Sequence, residues 1–422
     1  MSRLYLISAL SLLVIGLLAT ACVIEDPDGN DASPNATDYN QVNPDDPSTC
    51  PTIDGRDDVN NGTTLDAPCY LVTSRPTVNN GVLTIDAGTI LYFERGEGLE
   101  IEGDDAGLVI DGTDDEPVEM RGVQDEAGFW AGLMLSETIN PENAIAHLHL
   151  SDAGSRNWGT RNRANRQGGL LIRDGSRVSV SDSTFRNNEN AGIGIYSADD
   201  EVFIDSSLFE NNPDYPIRLR TNHVGDLGSD NAFSNNGDAY IEINTDRNSR
   251  LTRDATWPAL ELPYRVNDNF DIDADLTISP GTELHMDRDV GITVEEDGSL
   301  NANAEGADPI EFRGTIAESG YWRGLRFDES FSDNNKIGNA AIRHGGHEAW
   351  GTRRRDERHS NLHIEGFASL EFTDETEITD AGANGLTARE DDVSVSGCEH
   401  LVFQDIAGDN IVNSSGASAC SD

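Results

Sequence analysis

The residues best suited to chemistry are arginines, and they are clustered. Arg156, Arg161, Arg163 and Arg166 lie beside Trp158 between Asp152 and Gly168. Arg343, Arg353, Arg354, Arg355 and Arg358 lie around Trp350 between Arg343 and His359, with His344, His347 and His359. These two stretches hold nine of the 28 arginines. A guanidinium fork grips carboxylate or sulfate through two bonds, and an indole offers a face on which a sugar ring can stack. Trp158, Arg161, Arg163, Trp350, Arg353, Arg354 and Arg355 are therefore candidate ligands for an anionic polysaccharide. The competing reading pairs these arginines with the protein's own carboxylates and packs both loops on the fold.

Acids provide the other candidates. Asp199-Asp200 recurs as Asp391-Asp392. Paired acids can act as general acid and base, although neighbouring Asp residues in a turn ordinarily serve the backbone. Asp271, Asp273 and Asp275 alternate, so on one strand all three would share a face. That face could hold Ca²⁺ or simply be solvated. Asp26, Asp28, Asn30 and Asp31 could hold Ca²⁺ loosely, but the EF-hand spacing and its closing Glu are missing. No GxSxG, HExxH, Walker or dinucleotide-binding motif occurs. No catalytic residue is assigned, and Ca²⁺ is the one cofactor the acids suggest.

The chain opens Met1-Ser2-Arg3, runs apolar from Leu4 to Leu18 and then reads Ala19-Thr20-Ala21-Cys22. An early positive charge, a short apolar core and small residues before a cleavage point describe a secretory signal over residues 1–21. The apolar run is too short for an ordinary membrane span. The cysteine after small residues resembles the lipobox of bacterial lipoproteins. That resemblance implies cleavage before Cys22 and acylation of its thiol and new amine, so the membrane is a partner through lipid. Val23 in place of Asp implies, by the same resemblance, the outer membrane or cell surface. Residues 22–64 are rich in Asp, Pro, Asn and Gly and read as a disordered acidic tether.

Four further cysteines remain: Cys50, Cys69, Cys398 and Cys420. Export favours oxidation. The sequence-local pairing, Cys50 with Cys69 and Cys398 with Cys420, closes short loops worth about 3 kcal/mol each. Each pair lies near one end of the region beyond the tether. A metal site is the alternative, but no CxxC spacing is present.

Across 422 residues, 77 Asp and Glu face 29 Lys and Arg, for a net charge of −48. Such a chain repels phosphates, which excludes nucleic acid and an anionic membrane surface as direct partners. Lys336 is the only lysine. This composition fits either a high-salt exterior, where charges are screened, or a codon bias toward Arg.

The elements that must position these residues follow from repetition. Leu83-Thr84-Ile85-Asp86-Ala87-Gly88-Thr89 returns as Leu276-Thr277-Ile278-Ser279-Pro280-Gly281-Thr282. Gly128-Phe129-Trp130-Ala131-Gly132-Leu133 returns as Gly320-Tyr321-Trp322-Arg323-Gly324-Leu325. Trp158-Gly159-Thr160-Arg161 returns as Trp350-Gly351-Thr352-Arg353, and the offset stays at 192 or 193. Inside the first copy Phe185, Phe209 and Phe233 are 24 apart, each followed by an Asn pair. Between them lie short stretches of period two, such as Val178-Ser179-Val180 and Val202-Phe203-Ile204. Three short strands and three turns in 24 residues make one coil of a parallel β-helix, in which Phe stacks on Phe and Asn forms an amide ladder.

The chain here resembles right-handed parallel β-helix repeat proteins, especially secreted and lipid-anchored bacterial ones. The resemblance rests on Pro263-Tyr264-Arg265-Val266, Leu276 to Thr282, Pro309-Ile310-Glu311-Phe312 and Gly320 to Leu325. The first copy departs with Cys69 in place of Pro263 and Ala87 in place of Pro280. The expected fold is all-β, a right-handed solenoid of two homologous units of about 24 residues per coil, over 65–250 and 251–422, the second carrying a C-terminal cap. The resemblance implies a surface binding, adhesion or scaffold module. As the alternative, it permits a polysaccharide lyase or glycoside hydrolase, since lyases of this fold use Arg or Lys beside Ca²⁺-binding acids. A monomer is expected.

Overall fold

The computed structural model describes residues 42–55, 58–156, 158, 167–244, 249–350, 359–389, 392–414 and 420. From Gln41 on they belong to one compact unit. Among them the strands form five sheets in which every pairing is parallel, a right-handed parallel β-helix. Short strands of two to six residues follow one another round the solenoid, and each pairs with the strand one coil away.

The side chains predicted to stack do so. Phe185 faces Phe209 at 5.3 Å between ring centroids, and Phe209 faces Phe233 at 5.6 Å. Phe185 and Phe209 are fully buried. The Asn pairs divide their work. Asn187, Asn211 and Asn235 take positive φ, which Asn tolerates better than most residues. Asn188, Asn212 and Asn236 turn inward, and Asn212 Oδ1 accepts from the Asn188 backbone N–H at 3.0 Å while Asn236 Oδ1 accepts from Asn212 at 3.1 Å. The ladder thus satisfies turn amides that no strand can reach.

The 24-residue step runs through successive coils in this stretch and returns singly in the second copy, where Leu276 pairs with Leu300 and Leu362 with Leu386; elsewhere it varies. Leu133 pairs with Leu170 and Glu100 with Met134, so the coils on either side of that strand take 37 and 34 residues. Those coils carry the long loops. The Gly-aromatic-Trp-X-Gly motif is the corner before them. Trp130 and Trp322 are fully buried, and each Nε1 donates to a carbonyl, Ser151 or Arg343, at 2.6 Å. Gly132 and Gly324 adopt φ of 113° and 120°, and a Cβ at either would meet a backbone oxygen at 2.6 Å. Only glycine fits there.

The two copies join differently from two side-by-side units. One 13-stranded sheet (C) runs through both. The first copy completes its coil with an 8-stranded sheet (A) and a 6-stranded sheet (B), the second with a 7-stranded sheet (D) and a 6-stranded sheet (E). Equivalent strands do not occupy equivalent faces. Val118–Gly122 lies in sheet A, but its repeat Ile310–Gly314 lies in sheet C. Gly132–Ser136 lies in sheet C, but its repeat Gly324–Asp328 lies in sheet D. The second copy is turned by one face about the solenoid axis. The duplicated segment therefore holds a whole number of coils plus one strand position, and the 3₁₀ segment Thr221–Asp226 stands at the junction in place of a strand.

Two boundaries shift. The tether expected over 22–64 ends earlier, because Thr52–Ile53 pairs with Leu71 and Val72, and Thr64–Leu65 pairs with Thr84 and Ile85. Both segments carry an inward-facing apolar side chain, Ile53 and Leu65. The division at 250/251 falls inside one solenoid. The disulfides pair as predicted, Cys50–Cys69 in the first coil and Cys398–Cys420 in the last, each with Cα atoms 5.4 Å apart.

Phe209→Ala should cost about 3–5 kcal/mol as a large-to-small change inside the stack. Phe203, 52% exposed on the outer face, should tolerate Ser with an unchanged melting temperature. Chemical denaturation of the two variants checks the register.

Candidate functional site

Both tryptophans of the arginine-rich loops are buried. Trp158 is 7% exposed, donates from Nε1 to the Ala131 carbonyl at 3.2 Å, and packs on Met134, Leu171 and Tyr196. Met134 and Leu171 stand side by side on sheet C, so the Trp158 side chain lies against that sheet. Arg156 and Arg75 stand over the indole at 5.2 and 5.8 Å from a ring centroid. Trp350 is 3% exposed, with the Arg323 and Arg326 guanidinium groups 5.3 and 5.9 Å from a ring centroid. Gly291 leaves the room it needs, since a Cβ there would come within 2.5 Å of the ring. The expectation that these indoles stack on a sugar is corrected: their faces are covered by the protein's own guanidinium groups, in cation–π contact. Arg161, Arg163, Arg353, Arg354 and Arg355 lie outside the described residues.

What each tryptophan covers has diverged. Where the first copy places Met134 and Leu171, the second places Arg326 and His363 at the same strand positions. Glu365 is the hub of the second site. It pairs with Arg326, accepts from Arg389 at 3.0 Å and lies 3.5 Å from His363 Nε2. Burial alone would raise its pKa, but the hydrogen bond from His363 and the Arg326 charge outweigh it and hold the carboxyl far below its usual range.

The acid candidates that lie within the described residues serve the fold. Asp200 is 2% exposed, and its carboxylate accepts from the backbone N–H groups of Gly175, Ser176 and Ser197 at 2.9–3.0 Å. Burial pushes it up to about 6 against those bonds and the nearby His223. Asp391 lies outside the described residues, as do Cys22 and the Asp26–Asp31 cluster. Asp271, Asp273 and Asp275 do not share a strand face. The strand Phe270–Ile272 ends before Asp273, and Asp275 opens the next strand. Asp271 and Asp273 both pair with Arg250. Among the described residues no group of three His, Cys, Asp or Glu converges to hold a metal ion.

The structure instead brings together two grooves on repeated strands. In the first copy, sheet A carries one of about 320 Å³ lined by Glu119, Arg121, His149, Thr184, Arg186 and Glu210. Register stacks Glu119 on His149 and His149 on Thr184, one coil apart. In the second copy the repeated strands, now in sheet C, carry one of about 490 Å³ lined by Glu283, Asp308, Glu311, Arg343, Glu375 and Glu377. Ala341 takes the place of His149, and Arg343 bridges Glu311 at 3.2 Å and Glu377 at 2.7 Å. The first groove is cationic in part and the second acidic. Residues such as Arg121, His149 and Arg186 are far apart in the sequence and carry no motif. Their outward alternation on short strands was the only available signal.

Replacing Glu365 by Gln should destabilise the protein by about 1–3 kcal/mol at neutral pH, because it removes the buried anion shared by the half-buried Arg326 and Arg389, while Asp328 still pairs with Arg326. The depressed carboxyl contributes stability above its unfolded pKa, and that contribution is lost as pH falls toward the folded value. The gap between wild type and variant should therefore narrow below about pH 4, as measured by denaturant titration across pH.

Residues 136–254 match the family model of the right-handed beta helix region. That span includes the regular 24-residue coils. No curated protein and no solved structure matches the chain.

Proposed function

We propose that the chain is an exported, non-catalytic β-helical binding module, held at a membrane surface through an acylated Cys22, whose ligand is an anionic polysaccharide laid along an outer strand face. The observation that carries the reading is the sheet A groove. There Arg121, Arg186 and His149 project outward from successive coils of a chain whose net charge is −48. Strands about 4.8 Å apart present such groups at regular spacing, which suits an extended polymer. Two disulfides at the ends of the solenoid support an oxidising, extracellular setting.

The mature protein is passed over immobilised polygalacturonate, a sulfated glycan and a neutral glycan, with and without Ca²⁺. Retention on the charged matrices that weakens with salt is expected. Arg186→Ala should cost roughly 1 kcal/mol, a several-fold loss of affinity, as for one partly exposed ion pair. Replacing Arg353, Arg354 and Arg355 by Ala tests the second loop in the same assay. No retention at low salt overturns the reading, and an unsaturated product absorbing in the ultraviolet would mark the chain as a lyase instead. For the anchor, Cys22→Ser should shift the protein from the membrane to the soluble fraction.

A further inference from the structure

A further groove lies on sheet B, beside the junction of the two copies. It encloses about 480 Å³, and Pro141, Asn143, Arg177, Glu201, Phe203 and Arg253 are among its walls. Phe203 is the middle residue of the strand Glu201–Asp205, whose Val202 and Ile204 point into the core. Its own ring points out and is 52% exposed. The residues stacked below it in the same outward row are Ser179, Ala144 and Val109, all smaller, so nothing in that row covers the ring. An aromatic ring standing free on a shelf of small side chains is not required by the coil. In the second copy, Ser396 stands at the matching position and Ser369 replaces Arg177, in a smaller groove of about 230 Å³.

Two guanidinium groups border the ring. Arg253 is pinned at the junction by Asp226 and by the Asn222 carbonyl, 2.9 Å from its Nε, yet its side chain stays 41% exposed. Arg177 is held more loosely, 3.5 Å from Glu201 with both side chains more than half exposed. One fixed and one adjustable cation thus flank an open aromatic face.

We infer that this groove is a uronate-binding site, in which the C–H face of a sugar ring lies on Phe203 and its carboxylate is gripped by Arg177 and Arg253. The chemistry combines an apolar platform with a charge-assisted fork, and the site deepens the polysaccharide reading above, on which it rests. It is separate from the sheet A groove, so the chain has two places along its surface for one polymer class.

The test is calorimetric titration with a galacturonate hexamer and with the same hexamer carboxyl-reduced to neutral galactose. Wild type should bind the acidic hexamer, and the neutral one at least tenfold more weakly. Phe203→Ala should weaken binding about tenfold with an unchanged melting temperature, while Phe203→Trp should restore it. Arg177→Ala should weaken binding of the acidic hexamer and leave the neutral one unaffected. If Phe203→Ala binds as wild type while Arg186→Ala is impaired, this site is overturned and the polysaccharide reading stands. If wild type does not bind the acidic hexamer, both are overturned.

Discussion

In a parallel β-helix each strand must pair with the strand one coil away, at about 4.8 Å, while its inward side chains stack on those of the same strand position. That coupling of backbone pitch to side-chain register governs the rest of the molecule. A side chain at the Phe209 position has another phenyl ring directly above it and another below, so the column tolerates only a matching shape. The turns face a different demand, because their amides point along the axis and have no strand partner. Asn188 and Asn212 meet it by accepting and donating from coil to coil, and Ser183, Ser207 and Asn231 form a second such line. Few apolar residues are then enough. Those that face inward are almost wholly buried, and the turn amides of the regular coils are paired by repetition.

The same coupling explains why duplication did not yield two identical faces. Sheet C continues unbroken because its strands keep their pitch through the junction, yet it receives one class of strand from the first copy and another from the second. The loop of Trp158 leads into sheet C, whereas the loop of Trp350 leaves it for sheet D. Seven strand steps of sheet C separate them, about 34 Å at the usual spacing. Equivalent outer surfaces thus faced different surroundings. Inward positions stayed apolar in both copies. Outward positions diverged: Met134 and Leu171 in one correspond to Arg326 and His363 in the other.

Arginine rather than lysine suits this acidic chain. A guanidinium can bond two carboxylates in different coils and still stack on a ring, as Arg343 does between Glu311 and Glu377 and Arg326 does under Trp350 with Glu365. Such pairs tie each coil to the next, along the same direction as the strand hydrogen bonds. Arg218 with Glu242 carries that stitching through sheet C at the end of the first copy.

The 24-residue spacing of Phe185, Phe209 and Phe233 and the Asn pairs beside them determined, without any coordinates, that this chain coils, which face of each strand is buried, and that Phe203 faces out. The 192-residue offset likewise revealed the duplication, because inward positions answer to identical neighbours and so keep their residue types. The cysteine pairing was legible for the same local reason. The phase of the second copy was not. It depends on how many strand positions the long, irregular coils consume, and loop residues obey no period. Nor could the fate of Trp158 and Trp350 be read, since an indole beside arginines looks the same whether it meets a sugar or the outer wall of its own solenoid. Asp271, Asp273 and Asp275 misled because alternation implies a shared face only while the strand continues, and here it turns. Grooves over Arg186 and Phe203 join residues from different coils, a proximity created only when the register brings those coils together.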